Sequence, residues 1–407
     1  MRLALIGGTL ATPHRLFEGY LLVENGVIGA VGKGDPPPEL LVEARVVDLN
    51  GALAAPGFID SHVHGGGGAD VMDASPEALA AVAAAHAAGG ITSFLPTTVA
   101  VPLEQLEPVF AAYRSFVAAN GGRAGAQPLG LHLEGPFLNP EQSGALDPRS
   151  MSAPAEAEIE LLLRPENGVR RMTVAPELPG GMALGLELRG RGMVASIGHS
   201  AVRGEELLEA LDHGYELITH FYSGMEGVTR ENAYRVAGLV EGGYLHDPLW
   251  VEVIADGRHL PAELLRLIYK VKGPSRIVLT TDAMRAAGLG PGEYSLGSGS
   301  ASRRVLVEDG VAKLPDRSAF AGSVALGHDL VRTMVRTAQV PLLEALQMFT
   351  VNPARLLGID HRKGRLVHGA DADIVVLDED LKASMTIVGG RIVAGGSGDG
   401  ATDAGKE

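Results

Sequence analysis

The chain of 407 residues contains no cysteine and is short of positive charge. Without cysteine, neither a disulfide framework nor thiolate ligation of zinc can form, so any metal ion must be held by histidine and carboxylate groups. The 34 Lys and Arg residues face 49 Asp and Glu residues, which gives a net charge of −15. Because contacts of Lys and Arg with phosphate dominate binding to nucleic acids and to anionic membranes, neither partner is expected. A local basic pocket for a phosphorylated metabolite remains compatible with this charge.

Long apolar runs are also missing. No stretch of about 18 apolar residues occurs, so no membrane span is predicted. The N-terminal sequence MRLALIGGTLATP has only a short apolar segment, which favours a strand ending in a Gly-Gly turn over a signal sequence. We therefore expect a soluble, cytoplasmic protein.

Two patterns of hydrophobicity divide the chain. Residues 1–54 alternate with period two, and Asn25-Gly26 between apolar runs is typical of a two-residue hairpin turn. From Pro56 onward, strand-like segments alternate with amphipathic segments rich in Ala and Leu, and residues 371–396 return to short strands. The strand-like segments are GFIDSHVH, ITSFLPTT, PLGLHLEG, RRMTVAPE, MVASIGHS, ELITHFYS, LWVEVIAD and RIVLTTDAM.

Eight strands with intervening helices match the count of a (β/α)8 barrel. The sequence therefore predicts an α/β fold in which residues 55–355 form a TIM-like barrel. Residues 1–54 and 356–395 are predicted to form a small β-sandwich domain beside it. The final residues, 396–407, have almost no apolar content and are predicted to be disordered.

Metal-capable side chains follow several of these apolar runs: His62, His64, Glu134, His199, His220 and Asp282. Because a parallel barrel gathers its strand ends on one face, these groups are expected to converge there. His62 and His64 lie on one face of a strand and can reach the same cation. Glu134, His199 and His220 make a His2Glu set, which leaves an open position on zinc. His132 is expected to line the barrel interior instead.

Asp282 closes the eighth strand. A carboxylate beside a divalent cation can accept a proton from an attacking water and deliver it to a leaving nitrogen, as amide hydrolysis requires. The alternatives are an N-cap role for Asp282, hydrogen-bonded core histidines and a solvated Glu134. Because six such groups are expected to converge on one face of the barrel, we favour a hydrolytic metal centre.

Motifs along nearly the whole chain then point to one family. The stretches PGFIDSHVHG, HLEGPFLNP, IGHS, THFYSGM, VEVIADGRHL, LTTDAM, AFAGS and NPARLLG resemble the amidohydrolase superfamily, and more closely its N-acetylglucosamine-6-phosphate deacetylase branch. The fourth strand lacks the Lys that carbamylated members carry at its end, whereas Glu134 ends the third strand, as in the deacetylases.

The resemblance implies a role for each residue of the set. Glu134, His199 and His220 would hold the principal metal, and Asp282 would be the general acid and base. His62 and His64 would hold a second ion, and His259 would contact the substrate. It also implies a homodimer in which a loop from one subunit closes the site of the other. The metal is expected to be zinc, with iron, manganese or cobalt compatible with the same donors.

The substrate side departs from the family pattern. Where the family usually has YNAM, this chain has Tyr222-Ser223-Gly224-Met225, and where the family has an Ala-His pair it has Ala145-Leu146. The loop on the phosphate side also differs in sequence, and it contains Arg230 and Arg235. Ala145, Ser223 and Gly224 are candidate substrate contacts. Arg230, Arg235 and Arg317 are candidate phosphate contacts or surface charges.

Three functions follow from this reading. The leading one is hydrolysis of the acetamide of an N-acetylated amino sugar, with N-acetylglucosamine 6-phosphate giving glucosamine 6-phosphate and acetate. The first alternative keeps this chemistry for an unphosphorylated or different amino sugar, or for an N-acyl amino acid. The second is a barrel that has lost catalysis and serves as a scaffold.

Overall fold

The computed structural model describes residues 2–119, 125–299 and 302–396. Apart from Gly396, the tail predicted to be disordered lies outside the described residues. The strands are β1 (Arg2–Thr12), β2 (Arg15–Glu24), β3 (Val27–Lys33), β4 (Ala44–Asp48), β5 (Leu53–Pro56), β6 (Phe58–Val63), β7 (Gly65–Gly66), β8 (Ala69–Asp70), β9 (Ile91–Thr98), β10 (Gln127–Pro128), β11 (Leu131–Glu134), β12 (Val169–Val174), β13 (Val194–Ile197), β14 (Tyr215–Ile218), β15 (Thr229–Glu231), β16 (Tyr234–Val236), β17 (Trp250–Ile254), β18 (Ile277–Thr280), β19 (Gly292–Leu296), β20 (Arg303–Glu308), β21 (Val311–Lys313), β22 (Phe320–Ser323), β23 (Ile374–Leu377), β24 (Ala383–Val388) and β25 (Arg391–Gly395).

The helices lie mostly between the strands of the barrel. They are α1 (Pro76–Ala88), α2 (Leu103–Ala118), α3 (Glu156–Leu162), α4 (Gly181–Gly190), α5 (Gly204–Asp212), α6 (Leu239–Leu245), α7 (Ala262–Lys272), α8 (Gly327–Arg332), α9 (Leu342–Phe349) and α10 (Val351–Leu356). Among the described residues, none of these helices is both long and apolar enough to cross a membrane.

Eight parallel strands form the barrel: β6, β9, β11, β12, β13, β14, β17 and β18. The ring closes between the last strand and the first, where the Asp282 amide donates to the His62 carbonyl over 3.1 Å and Val63 bridges Ala283. Strands that are covered on both faces read as continuous apolar runs, which is why each predicted segment contains one of them. The predicted fold class is confirmed.

The first barrel helix shows how local sequence sets the element boundaries. The Ser75 side chain accepts a hydrogen bond from the Ala78 amide, and Pro76 occupies the first turn, where its missing N–H has no cost. The helix stops at Gly89-Gly90, and Gly90 has a φ of +89°. The next strand, β9, can therefore begin at once against β6.

The N- and C-terminal segments join in one eight-stranded sheet outside the barrel. Its order is β25-β24-β23-β5-β1-β2-β3, with β4 added beside β1. Asn25 and Gly26 connect β2 to β3 as the predicted hairpin turn, and both have positive φ values, of 51° and 86°. The β5–β23 pair is antiparallel and links the two ends of the chain.

Strand β23 is buried on both faces. Ile374 and Val376 belong to a core shared with the strands of the small sheet, whereas Val375 and Leu377 belong to the barrel core. The alternation follows from the period of two in a strand. The sheet thus has its own core and also covers one side of the barrel, and we propose residues 1–54 with 356–395, and 55–355, as the two units.

A four-stranded antiparallel insert, which the sequence analysis did not predict, follows the last barrel strand. Its order is β19-β20-β21-β22, and Ser323 at its end bridges Ala283 beside the barrel mouth. The insert therefore brings side chains of β19 and β22 to the open end of the barrel, where the histidines and carboxylates that follow the barrel strands lie.

Candidate metal centre and active-site cavity

The six predicted metal-capable side chains converge at the carboxyl ends of the barrel strands. His62 lies in β6 and Glu134 ends β11, whereas His199, His220 and Asp282 each follow their strand by two residues. All six residues, including His64, are between 0% and 8% exposed. They form two groups, His62–His64–Asp282 and Glu134–His199–His220, and the donor atoms within each group lie within 4.8 Å of one another.

Three residues of the centre have left-handed backbone. The φ values are 46° at His199, 29° at His220 and 46° at Asp282. A residue with a Cβ atom in this region is strained by about 1–3 kcal/mol, and such strain clusters at functional sites. The Asp282 amide is held by the His62 carbonyl, and the Ser223 amide donates to the His220 carbonyl over 2.8 Å. The surrounding fold therefore enforces the turn that follows each strand.

The Glu134 group has the form of a cation site. The Nε2 atoms of His199 and His220 lie 3.3 and 3.0 Å from Glu134 Oε1 and 3.1 Å from each other. His199 Nδ1 donates to the Gln142 carbonyl over 2.7 Å, and His220 Nδ1 donates to the Ser223 carbonyl over 3.1 Å. Each Nε2 atom is therefore left with a lone pair.

Glu134 Oε1 and the two Nε2 atoms therefore face one another with lone pairs and with no proton between them. Ligand atoms about 2.0 Å from a tetrahedral zinc ion lie about 3.3 Å apart, which is close to the separations in this group. A divalent cation fits the centre of the group without rearrangement of the ligands.

The His62–His64–Asp282 group lies beside the Glu134 group, and Glu134 contacts both groups. The Nε2 atoms of His62 and His64 lie 3.4 and 3.3 Å from Asp282 Oδ1. Glu134 connects the groups, because its Oε1 faces His199 and His220 while its Oε2 lies 3.2 Å from His64 Nε2. A carboxylate with one oxygen toward each group suits a bridge between two ions.

The electrostatics favour positive charge at the centre. Burial opposes a charge on His62, yet the carboxylates of Asp282 and Glu134 raise its pKa to about 9. The same two carboxylates, acting against burial, raise the pKa of His64 well above its ordinary value. A bound cation would supply this charge instead, and since the ligand histidines must then be neutral, binding would release protons.

A cavity of about 230 Å³ opens onto the two groups. Besides His64, Glu134, His199, His220 and Asp282, its lining consists of Gly144, Ala145, Leu146, Ser223, Gly224, His259, Leu296, Ala319, Phe320, Ala321 and Gly322. The structure thus places the predicted contacts Ala145, Ser223, Gly224 and His259 at the cavity wall. None of these lining residues is Lys or Arg.

His259 is held in place from two sides. Its Nδ1 lies 2.7 Å from Asp256 Oδ2, and its ring centre is 4.9 Å from that of Phe320. Although burial opposes it, Asp256 raises the pKa of His259. The ring is therefore fixed at the cavity wall, and Nε2 is left for a bound molecule.

The three predicted phosphate contacts lie away from the cavity lining of their own chain. Arg230 and Arg235 are exposed and directly opposite each other in the β15–β16 hairpin. Arg317 donates to Glu308 over 2.9 Å at the surface. His132, in contrast, lies inside the barrel as predicted, between the Thr97 and Thr173 hydroxyls at 3.3 and 2.7 Å.

Sequence reasoning missed a buried ion pair beneath the centre. Arg171 of β12 and Glu252 of β17 are both 0% exposed and pair with each other, and Glu252 Oε1 accepts from His62 Nδ1 over 3.0 Å. The available signal was charge inside a buried strand: two arginines in VRRMTV and one glutamate in WVEVI. Phe320 and Leu296 were missed because they come from the unpredicted insert.

The comparisons with known proteins agree with this geometry. The sequence model described as the amidohydrolase family matches residues 53–393. N-acetylgalactosamine-6-phosphate deacetylase of Escherichia coli O157:H7 is 34% identical over 381 residues, which are 93% of this chain and 96% of the relative. N-acetylglucosamine-6-phosphate deacetylase of Bacillus subtilis is 32% identical over 381 residues, 92% of each chain.

A solved structure is similar over the same extent. It is a mutant N-acetyl-D-glucosamine-6-phosphate deacetylase from Mycobacterium smegmatis in complex with N-acetyl-D-glucosamine-6-phosphate, with a TM-score of 0.87 and 32% identity. The match covers 96% of this chain and 99% of the other. With its parallel barrel and its strand-end histidines and carboxylates, the chain belongs to the amidohydrolase family.

Proposed function

We propose that the protein hydrolyses the acetamide of N-acetylglucosamine 6-phosphate and releases glucosamine 6-phosphate and acetate. The observation that carries this proposal is the convergence of Glu134, His199 and His220 with Asp282 in one cavity. The support for the substrate is the set of relatives, which act by name on 6-phosphates of N-acetylated amino sugars and match more than nine-tenths of this chain.

Two ions fit the donors that the chain offers. Glu134, His199 and His220 would hold the principal ion, and His62 and His64 would hold a second ion. Histidine and carboxylate donors suit zinc and also accept iron, manganese or cobalt. A divalent ion in this position supplies Lewis-acid stabilisation of charge on a carbonyl oxygen and makes a nearby water more acidic.

Asp282 is assigned the proton transfers. Its carboxylate accepts a proton from the water whose oxygen forms the new bond to the acetyl carbon. It returns that proton to the sugar nitrogen as the C–N bond breaks, so that the amine leaves neutral. His259, whose Nδ1 is held by Asp256, presents Nε2 to the substrate at the cavity wall.

A phosphate needs a cation that the described cavity lining does not contain. We propose that the protein is a homodimer in which the β15–β16 hairpin reaches the cavity of the partner subunit, with Arg230 or Arg235 on the phosphate. The hairpin presents an aromatic side chain, Tyr234, that is 79% exposed. Arg317 is less suited because Glu308 already engages its guanidinium.

The experiment is a comparison of acetate release from matched substrates. N-acetylglucosamine 6-phosphate is expected to have the highest kcat/KM, and its unphosphorylated form a value lower by about 10–100-fold, because a charge-assisted contact contributes about 1.5–3 kcal/mol. A preference for N-acetyl amino acids would overturn the proposal. A preference for N-acetylgalactosamine 6-phosphate would keep the chemistry and change the sugar, in line with the Escherichia coli O157:H7 relative.

Neutralising the hairpin arginines tests the phosphate contact. Arg230→Gln and Arg235→Gln are each made, and the variant that loses the contact is expected to raise KM for the phosphorylated substrate by about 10–100-fold. Its kcat/KM for the unphosphorylated sugar is expected to stay unchanged.

The matched control is Arg304→Gln, which removes an exposed guanidinium paired with Glu293 and is expected to change neither value. Sedimentation of each variant shows whether the dimer is intact. Unchanged KM in both hairpin variants would remove this segment from the phosphate site.

A further inference from the structure

We propose that Glu252 is a positioning residue on which retention of the His62–His64 ion depends. The inference rests on the two-ion centre proposed above. Glu252 lies in the middle of β17 and is fully buried below the cavity, so it does not contact the substrate space itself.

Glu252 touches one member of each ligand group through a single oxygen. Its Oε1 accepts from His62 Nδ1 over 3.0 Å and from the backbone amide of His220 over 3.2 Å. Because the proton of His62 is held on Nδ1, Nε2 keeps its lone pair and faces His64 and Asp282. The same oxygen therefore sets the tautomer of one ligand and the backbone position of the other.

Arg171 makes it possible for this carboxylate to be ionised inside the barrel. Its guanidinium contacts both oxygens of Glu252 and also donates to the Ser61 carbonyl and the Thr219 hydroxyl, over 3.1 and 3.0 Å. Ser61 and Thr219 directly precede His62 and His220. The ion pair consequently ties together the strand ends that carry the two ligands.

The two proposed ion sites differ in what holds the Nδ1 atoms of their histidines. The Nδ1 atoms of His199 and His220 are both held by backbone carbonyls, which no substitution at a partner position removes. His62 is held by the side chain of Glu252, and His64 Nδ1 is buried with no hydrogen-bond partner among the described residues. Loss of Glu252 should therefore weaken the His62–His64 site more than the other site, which contacts Glu252 only through the backbone amide of His220.

Two neutral double variants separate this role from a general effect on folding. Arg171→Met with Glu252→Gln and Arg171→Met with Glu252→Leu both remove the buried ion pair without leaving a lone charge. They differ in that only Gln keeps an oxygen that can accept from His62 Nδ1 and from the His220 amide. Zinc bound per chain is measured by elemental mass spectrometry after dialysis, without any substrate, and thermal unfolding is recorded in parallel.

The wild type and the Gln variant are expected to hold two zinc ions, and the Leu variant one. Affinity for the second ion should fall by about 10–100-fold in the Leu variant, as for other partners of metal-bound histidines. If the Leu variant holds two ions as tightly as the wild type does, the proposed role of Glu252 is overturned, while the two-ion centre stands. A wild type with only one ion would overturn the two-ion centre and this inference with it.

Nitrogen NMR of the zinc-loaded wild type gives a second, independent measurement. It observes the protein with its buried Arg171–Glu252 ion pair intact. With labelled histidine, and His62 assigned by comparison with His62→Asn, the proton is expected on Nδ1. A proton absent from Nδ1 of His62 would also overturn the proposal.

Discussion

Replacing Asp282 with Asn is expected to lower kcat for amide hydrolysis by about 10²–10⁴-fold, the usual contribution of a positioned acid and base. An amide cannot take the proton of water or pass it to the leaving nitrogen. The fold is expected to survive, because Asn tolerates the left-handed backbone that Asp282 adopts at a φ of 46°. The Glu134–His199–His220 group should keep its affinity for zinc.

A matched control is available elsewhere in the chain. Asp309 also has a left-handed backbone, with a φ of 55°, but it pairs with Lys313 at the surface. Asp309→Asn makes the same chemical change in the same conformation and is expected to leave kcat unchanged. Turnover at the wild-type rate in Asp282→Asn, with zinc content and melting temperature intact, would remove Asp282 from the proton transfers.

Replacing Glu134 with Gln is expected to deplete the whole centre of metal. Its two oxygens face different groups, with Oε1 toward His199 and His220 and Oε2 toward His64. The neutral amide supplies neither the charge nor the second oxygen lone pairs that a bridging ligand needs. Loss of a residue that only hydrogen-bonds to a metal ligand lowers metal affinity by about 10–100-fold. Loss of Glu134 itself should lower the affinity by more than that.

Zinc content and acetate release are measured together, before and after incubation with excess zinc. We expect less than one ion per chain after dialysis and only partial recovery of activity when zinc is added. Glu187→Gln, which changes an exposed residue paired with Arg191, serves as the control and should behave as wild type. Full metal content with wild-type kcat in Glu134→Gln would exclude Glu134 as a ligand.

The barrel and the convergence of the metal-capable side chains could be predicted because both leave a local mark on the sequence. Each barrel strand is covered on both faces and so reads as an apolar run, and each metal-capable side chain lies within or just after such a run. Glu134 in GLHLEG and Asp282 in IVLTTD are examples. Ser223 and His259, which lie at the cavity wall, were instead singled out by the resemblance to the deacetylases and by a departure from their motif.

The remaining features depend on which distant residues meet. Arg171 and Glu252 are 81 positions apart, and a charge inside a strand does not show which opposite charge it will face across the barrel. The insert β19–β22 has short strands and exposed residues, so its pattern does not separate it from a loop. Arg317 lies close in sequence to the cavity-lining Ala319, yet its side chain turns outward to Glu308 because of the insert's own pairing.

The pairing of β5 with β23 has a consequence for how the protein must be made. β5 ends at residue 56, directly before the barrel begins, but its antiparallel partner is translated more than three hundred residues later. Until then, a nascent chain carries an open strand edge beside a nearly complete barrel, the kind of surface that seeds aggregation. Chains truncated before residue 374 should therefore accumulate as insoluble material, and tags are better placed at the N-terminus or after residue 396.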